Sequence, residues 1–169
     1  MNETIYYKSP LGALQITCEE TVISQVSFAN RQNRIVVNED EILYDKGKSP
    51  IIKRCVSQLD EYFAGKRFLF ELELLQAGTS FQQSVWAELL KINYGKTLSY
   101  LSLSKRLGNV KAIRAVGTAN GRNNIAIIVP CHRIIGSNGT LVGYGGDLWR
   151  KKWLLEHEAK YANGVQLLF

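Results

Sequence analysis

The chain has 169 residues, 46% of them hydrophobic and 21% charged, with a formal net charge of +6. That mix excludes a disordered or fibrous polymer and allows one good core or two small ones. The charge is uneven, since residues 79–169 hold 12 Lys+Arg against 4 Asp+Glu and residues 1–78 hold 9 against 11; only the second half carries the excess that a polyanion attracts.

No stretch reaches the ~18–20 apolar residues of a membrane span. The opening MNETIYYKSP lacks the basic-then-apolar order of a secretory leader. The expectation is therefore a cytoplasmic protein with no membrane partner. Three cysteines, Cys18, Cys55 and Cys131, form no CxxC pair, and the two histidines, His132 and His157, stand outside any metal-ligand spacing. Reduced thiols, no metal and no cofactor are expected.

Residues 5–7, 13–18 and 22–28 read as three short strands joined by Ser9-Pro10-Leu11-Gly12 and Glu19-Glu20-Thr21. Alternation of Leu14, Ile16 and Cys18 with Gln15 and Thr17 predicts a sheet covered on one face. Residues 30–45 are polar loop with a short strand at 35–37. Ser49-Pro50 opens a helix whose Ile51, Ile52, Cys55, Val56, Leu59, Tyr62 and Phe63 recur at helical spacing until Gly65, placing Cys55 in the core. Alternation over Phe68 to Leu74 predicts a further strand. Residues 1–77 thus form a small strand-and-helix scaffold domain, and Ala77-Gly78-Thr79 marks the boundary to a second domain, 78–169.

In that second domain Ser80 and Gln83 have capping-box spacing ahead of a helix through Phe81, Val85, Trp86 and Leu89 that ends near Tyr94-Gly95. Two short helices follow, about 99–107 and 110–120, separated by Gly108-Asn109, with Asn109 as cap. Two helices joined by a tight turn in basic surroundings make a helix-turn-helix candidate. Val110, Ile113 and Val116 are expected to face the core. Lys111, Arg114 and Thr118 face outward among Ala112, Ala115 and Ala119, a combination of charge and small side chains that lets a helix press into a nucleic-acid groove.

Ile125 to Arg133, IAIIVPCHR, reads as a buried strand stopped by Pro130, which has no N–H for a ladder. Cys131 then stands at the end of a rigid element. A thiol is a useful nucleophile only as thiolate, and neighbouring His132 and Arg133 are the surroundings that lower its pKa. Ser137-Asn138-Gly139 and Gly143-Tyr144-Gly145-Gly146 bracket a glycine-rich segment suited to a wing or the wall of a planar ligand's pocket. Asp147 is positioned to cap a last helix with Leu148, Trp149, Trp153, Leu154 and Leu155, ending at Glu156-His157-Glu158. The tail from Ala159 to Phe169 carries no interpretable pattern.

PCHR, preceded by an apolar run and followed by GYGG and WLLEHE, resembles the methylated-DNA-protein-cysteine methyltransferases, the O6-alkylguanine-DNA alkyltransferase repair family. The likeness runs without a gap from about Phe81 to Glu158; the first half is similar only in length and element order. The resemblance implies an α+β fold, with a small ribonuclease-H-like α/β domain ahead of a mainly helical, winged-helix-like domain containing the helix-turn-helix. It implies a monomer acting on double-stranded DNA that contains O6-alkylguanine, with O4-alkylthymine as a further substrate. The damaged nucleotide is flipped out, because an alkyl carbon inside the stack is out of reach, and its alkyl group passes irreversibly to Cys131 in a single turnover.

Position by position, the resemblance makes His132 the base that acts on Cys131 through a water, Glu158 its orienting carboxylate and Asn123 a polar hinge. Tyr100 would crowd the target phosphate and Arg114 would fill the space left in the stack, with Lys111 and Ala115 beside it on the DNA face. Tyr144, Ser137 and the backbone at Val129 would line the base pocket. The sequence departs from the family where Asn124 replaces a frequent proline and where Gly145 replaces the serine of some relatives. The first half also lacks the residues for a structural zinc.

Two other classes fit parts of the pattern. One is a damage-marking helix-turn-helix protein without chemistry, against which the retained Cys131 speaks. The other is a Cys131/His132 hydrolase, which adjacent residues on a strand disfavour because they point to opposite faces.

Overall fold

A computed structural model describes residues 1–32 and 34–163 and divides the chain into two compact units. Residues 1–76 together with 124–126 form the first, and residues 77–123 with 127–169 the second. The sequence boundary falls within a residue of this division, but the return of 124–126 to the first unit is not visible in the sequence.

The first unit is built on strands β1 (Glu3–Ser9), β2 (Gly12–Glu19) and β3 (Val22–Phe28), an antiparallel meander in sequence order. Period-two alternation puts Ile5, Tyr7, Leu14, Ile16 and Cys18 in the core, and a register shift in the β2–β3 pair brings both Ile23 and Val26 of β3 to it. Helix α1 (Pro50–Phe63) covers that face with Ile52, Cys55, Leu59 and Tyr62; the Ser49 side chain accepts the Ile52 N–H, and Pro50 stands in the first turn, where no donor is needed. Among the described residues of 30–45 the strands are the pair β4 (Asn30–Arg31) and β5 (Arg34–Ile35), and Ile35 is 82% exposed.

The expected strand over 68–74 is reduced to one bridge, Ile23 to Leu74. Buried Gln58 of α1 explains the loss, because its side-chain amide bonds both the N–H and the C=O of Glu71 and so takes the groups a ladder would use. Residues 124–126 add a second parallel bridge, Val26 to Ile125.

The second unit is mainly helical: α2 (Ser80–Leu89), α3 (Tyr100–Arg106), α4 (Ile113–Gly121) and α5 (Leu148–Asn163), with one short parallel pair, β6 (Leu98–Ser99) on β7 (Ile134–Ile135). Gly108 at φ +78 makes the turn after α3, and Asn109 caps a single 3₁₀ turn, Val110–Ala112, from which α4 continues. Of the three residues expected to face the core only Val116 is buried; Val110 is 51% and Ile113 38% exposed, because the 3₁₀ turn breaks the helical phase between them. Helix α2 ends at Leu89, short of Tyr94, whereas α5 runs past Glu158 to Asn163. Asp147 has φ +76, outside the extended region of an ordinary N-cap, and the N–H groups of Arg150 and Lys151 point to its backbone carbonyl. Of the uninterpreted tail, 164–169 lies outside the described residues.

The capping box of α2 sits one residue earlier than the sequence spacing indicated. Thr79 accepts the Gln82 N–H at 3.1 Å and the Gln82 side chain accepts the Thr79 N–H at 2.9 Å. Thr79→Ala is therefore expected to cost about 1 kcal/mol in urea unfolding, against less than about 0.5 kcal/mol for Ser80→Ala. Equal effects would place the cap at Ser80.

Candidate active site

Pro130 is followed by a single 3₁₀ turn, Cys131–Arg133, rather than the end of a strand. The apolar run before it is buried as expected, yet it turns, with Ile127 at φ +72, a region a β-branched residue occupies only under strain. Cys131 is 7% exposed, and His132, Arg133 and Glu158 are buried with it.

Glu158, on α5, organises the turn. Arg133 donates to it twice, Nε to Oε1 at 2.8 Å and Nη2 to Oε2 at 3.0 Å, while His132 Nε2 lies 2.8 Å from Oε2. The third arm of the guanidinium donates to the Ile92 carbonyl, and its plane faces the Tyr94 ring. Burial opposes ionisation of Glu158, but His132 and the Arg133 fork outweigh it and hold the carboxyl well below the usual range. The N–H of Gly95 also points to this carboxylate; at φ +77, with Ala162 occupying the space of any side chain, residue 95 has to be glycine.

The His132 pKa is lowered as well, since burial favours its neutral form more than Glu158 favours the cation. A neutral ring facing a carboxylate must carry its hydrogen on Nε2, and that leaves Nδ1 as a lone-pair acceptor. Nδ1 is buried and has no protein partner among the described residues. The arrangement is that of a base oriented by a carboxylate.

The thiol behaves differently from expectation. Burial pushes the Cys131 pKa up, and the opposing influences are an Asn123 hydrogen bond and the charge of Lys151. Arg133 does not depress it, because that guanidinium is turned to Glu158. Asn123 also donates to the Val129 carbonyl at 2.8 Å, so the Val129 backbone is engaged inside the turn, where it also accepts the Cys131 N–H.

The β6–β7 pair sets Tyr100, the first residue of α3, beside the segment that follows the turn. Its hydroxyl donates to the Val142 carbonyl at 3.2 Å. Lys111, Arg114 and Ala115 are all exposed on the 3₁₀ turn and α4. Ser137 is exposed in the turn after β7, and Tyr144 is half-buried in the glycine-rich segment. The structure thus gathers Cys131, His132, Asn123, Val129 and Glu158, ties Tyr100 to the loop at Val142, and leaves Lys111, Arg114, Ala115 and Ser137 on the surface.

Sequence reasoning missed two contributors and gave a third the wrong partner. Lys151 is fully buried although it stands in the run WRKKW, which reads as solvated charge. Asn120, the penultimate residue of α4, is buried and donates to the Cys131 carbonyl at 3.3 Å. Arg133 serves the carboxylate instead of the sulfur. No pattern in the chain marks the first two.

A buried Cys-His-Glu constellation in one unit with a helix-turn-helix defines the class as a DNA-directed protein with a cysteine nucleophile. Residues 4–76 match the family described as 6-O-methylguanine DNA methyltransferase, ribonuclease-like domain, and residues 80–160 its DNA binding domain. The methylated-DNA-protein-cysteine methyltransferase of Methanosarcina acetivorans is 41% identical over 152 residues, 90% of this chain and 95% of that protein. The crystal structure of Mycobacterium tuberculosis O6-methylguanine methyltransferase is 39% identical, with a TM-score of 0.81 and full coverage of both chains. A structure of the M. tuberculosis protein in complex with DNA gives 0.80 at 39% identity over 92% of each chain. The chain belongs to the methylated-DNA-protein-cysteine methyltransferase family, and with it the α+β fold and the ribonuclease-like first domain are established. Among the described residues no helix is long and apolar enough to cross a membrane.

Because the folded Glu158 pKa is depressed, its stabilisation is complete above the ordinary carboxyl value of 4.5 and is lost as pH falls toward the folded value. Glu158→Gln, which leaves Arg133 buried without its anion, is expected to lose roughly 3–5 kcal/mol at neutral pH. In urea unfolding followed from about pH 6 to pH 3, the variant should show a shallower acid loss than the unmodified protein. Parallel pH profiles would remove Glu158 as the ionised centre of the turn.

Proposed function

We propose that this protein repairs duplex DNA by moving the alkyl group of O6-alkylguanine onto Cys131, acting once as a monomer in the cytoplasm. The observation that carries the reading is the 3₁₀ turn, which places a cysteine next to a buried histidine whose Nε2 is fixed on Glu158 and whose Nδ1 keeps its lone pair. All these groups come from one unit of one chain, so a single copy has a complete site. The three free thiols fit a reducing compartment.

The geometry divides the work. Exposed Lys111 and Arg114, with small Ala115 exposed beside Arg114 in the chain, admit the backbone of α4 to a groove, and their charge makes binding salt-sensitive and weakly dependent on sequence. Arg114 fills the gap left when the lesion rotates out of the stack, and Tyr100, fixed by Val142, crowds the phosphate that must turn. Tyr144, Ser137 and the peptide at Val129 wall the pocket for the extruded base, and Asn123 holds that peptide beside the sulfur.

Chemistry then needs a thiolate. A water between Cys131 and His132 Nδ1 passes the thiol proton to the ring, whose new charge Glu158 stabilises. The sulfur attacks the alkyl carbon, an S–C bond forms and the C–O6 bond breaks with its electron pair leaving on guanine. Guanine takes up one proton, so the thiol hydrogen is replaced by the alkyl group and the base is restored. Nothing in the site is arranged to cleave the thioether, so each molecule reacts once.

Mixing the protein with a duplex containing one O6-methylguanine should add the mass of one methyl to the Cys131 peptide, and Cys131→Ser should bind the duplex without transfer. Multiple turnovers, or labelling of Cys18 or Cys55 instead, would refute the assignment. Arg114→Ala is expected to slow repair of duplex by about 10-fold or more while sparing reaction with free O6-alkylguanine, since a missing electrostatic and stacking contact of ~1–3 kcal/mol acts only on flipping. Equal slowing of both would sink the flipping role.

A further inference from the structure

Lys151 projects from the first turn of α5 and is fully buried. Its Nζ donates to the carbonyls of Val142 at 2.8 Å and Gly143 at 3.3 Å and lies 5.9 Å from the centre of the Tyr100 ring. Two carbonyls and a ring face orient an ammonium but do not neutralise it. A buried cation ordinarily has an anion, because removing a charge from water costs several kcal/mol unless it is paired.

The second unit has four acidic residues, and each is committed elsewhere. Glu88 pairs with Lys91, Asp147 with Arg150, Glu156 with Lys152, and Glu158 with Arg133 and His132. Among the described residues none lies within ion-pair reach of Lys151. The Tyr100 ring of α3 packs on it, and the titratable groups its charge acts on are Cys131 and His132 of the 3₁₀ turn. His132 is neutral or positive, and Tyr100 is held above its usual range by burial. The only group there able to become an anion near neutral pH is the sulfur.

We propose that Lys151 is the counterion of the Cys131 thiolate, a positioning residue that makes the nucleophile's negative charge affordable inside a dry site while clamping the loop at Val142 and Gly143 against Tyr100. The pairing assigns the two neighbours of the sulfur separate work. His132 removes the proton, and Lys151 stabilises the charge that remains. Burial lowers the ammonium to about 8, and the sulfur's charge opposes that shift. The role rests on the proposed use of Cys131 as nucleophile, but its test needs no DNA.

Thiolate formation at Cys131 can be followed by the pH dependence of its alkylation with iodoacetamide, read as mass on the Cys131 peptide. In Lys151→Met, which keeps the length of the side chain and loses its charge, the midpoint should rise by about one pH unit or more. Lys151→Arg should restore most of that shift even where the maximal rate is reduced, which a purely structural lysine would not predict. An unchanged midpoint in a folded Lys151→Met protein overturns the proposal. If Lys151→Met does not fold, the decision passes to the intact lysine: with carbon-13 at the lysine ε-carbon, the Lys151 midpoint should fall in Cys131→Ser relative to the unmodified protein, and an unmoved midpoint overturns the proposal. Failure of methyl transfer from DNA with both titrations as expected would instead count against the proposed function alone.

Discussion

A single carboxylate governs this site. Glu158 is almost wholly removed from water, and a carboxylate so placed is costly unless its lone pairs are filled by charged or strongly polar donors. Arg133 fills both oxygens through a fork and His132 adds a third contact. Two consecutive residues reaching one carboxylate is incompatible with an extended chain, in which neighbours point to opposite faces. The 3₁₀ turn resolves the conflict, with roughly three residues per turn fanning His132 and Arg133 toward α5 and leaving Cys131 on another side. The conformation that exposes the nucleophile to its chemistry is thus the one the carboxylate requires.

The same burial that strengthens the Glu158 network works against the thiolate. Burial holds Cys131 toward the thiol, and its ionisation is helped by a nearby base and a positive charge. For a nucleophile used once, this is a consistent arrangement. An exposed, permanently ionised sulfur would be open to oxidation, which would consume the protein as surely as repair does. A neutral His132 with a free Nδ1 allows the proton to be withdrawn when the pocket is filled, without holding the site charged in between.

What could be read from the chain follows the range of the interaction involved. The meander, α1 and the helix-turn-helix are set by local periodicity and turn chemistry, and Leu14, Ile16, Cys18, Ile52 and Leu59 are buried where their spacing put them. The motif PCHR pointed to the candidate site because Cys131 and His132 are consecutive, whereas Asn123 and Glu158 reach it from elsewhere in the chain. Misreadings arose where a partner distant in sequence decided the outcome. Gln58 takes the hydrogen bonds that residues 68–74 would have used as a strand, and Glu158 bends the end of IAIIVPCHR into a turn. Lys151 was hidden for the same reason, since its burial depends on carbonyls eight and nine residues earlier and on the ring of Tyr100, none of which a local charge pattern records.

Helix α4 links the two halves of the proposed reaction through its own rigidity. Arg114 stands exposed in its first turn and Asn120 is buried in its last, six residues or about 9 Å further along the axis. The far end is fixed from two directions, by the Trp86 indole donating to the Ala119 carbonyl at 2.9 Å and by the Asn120 amide on the Cys131 carbonyl. In the proposed complex the helix couples Arg114 to the backbone of Cys131 through the Asn120 hydrogen bond. Small residues suit both faces of the helix, because Ala119 lets the inner face pack against α2 while exposed Ala115 leaves the outer face open to the proposed approach of DNA. The distance from the DNA-facing cation to the nucleophile is therefore set by backbone geometry, and the side chains of α4 only have to choose which face is wet.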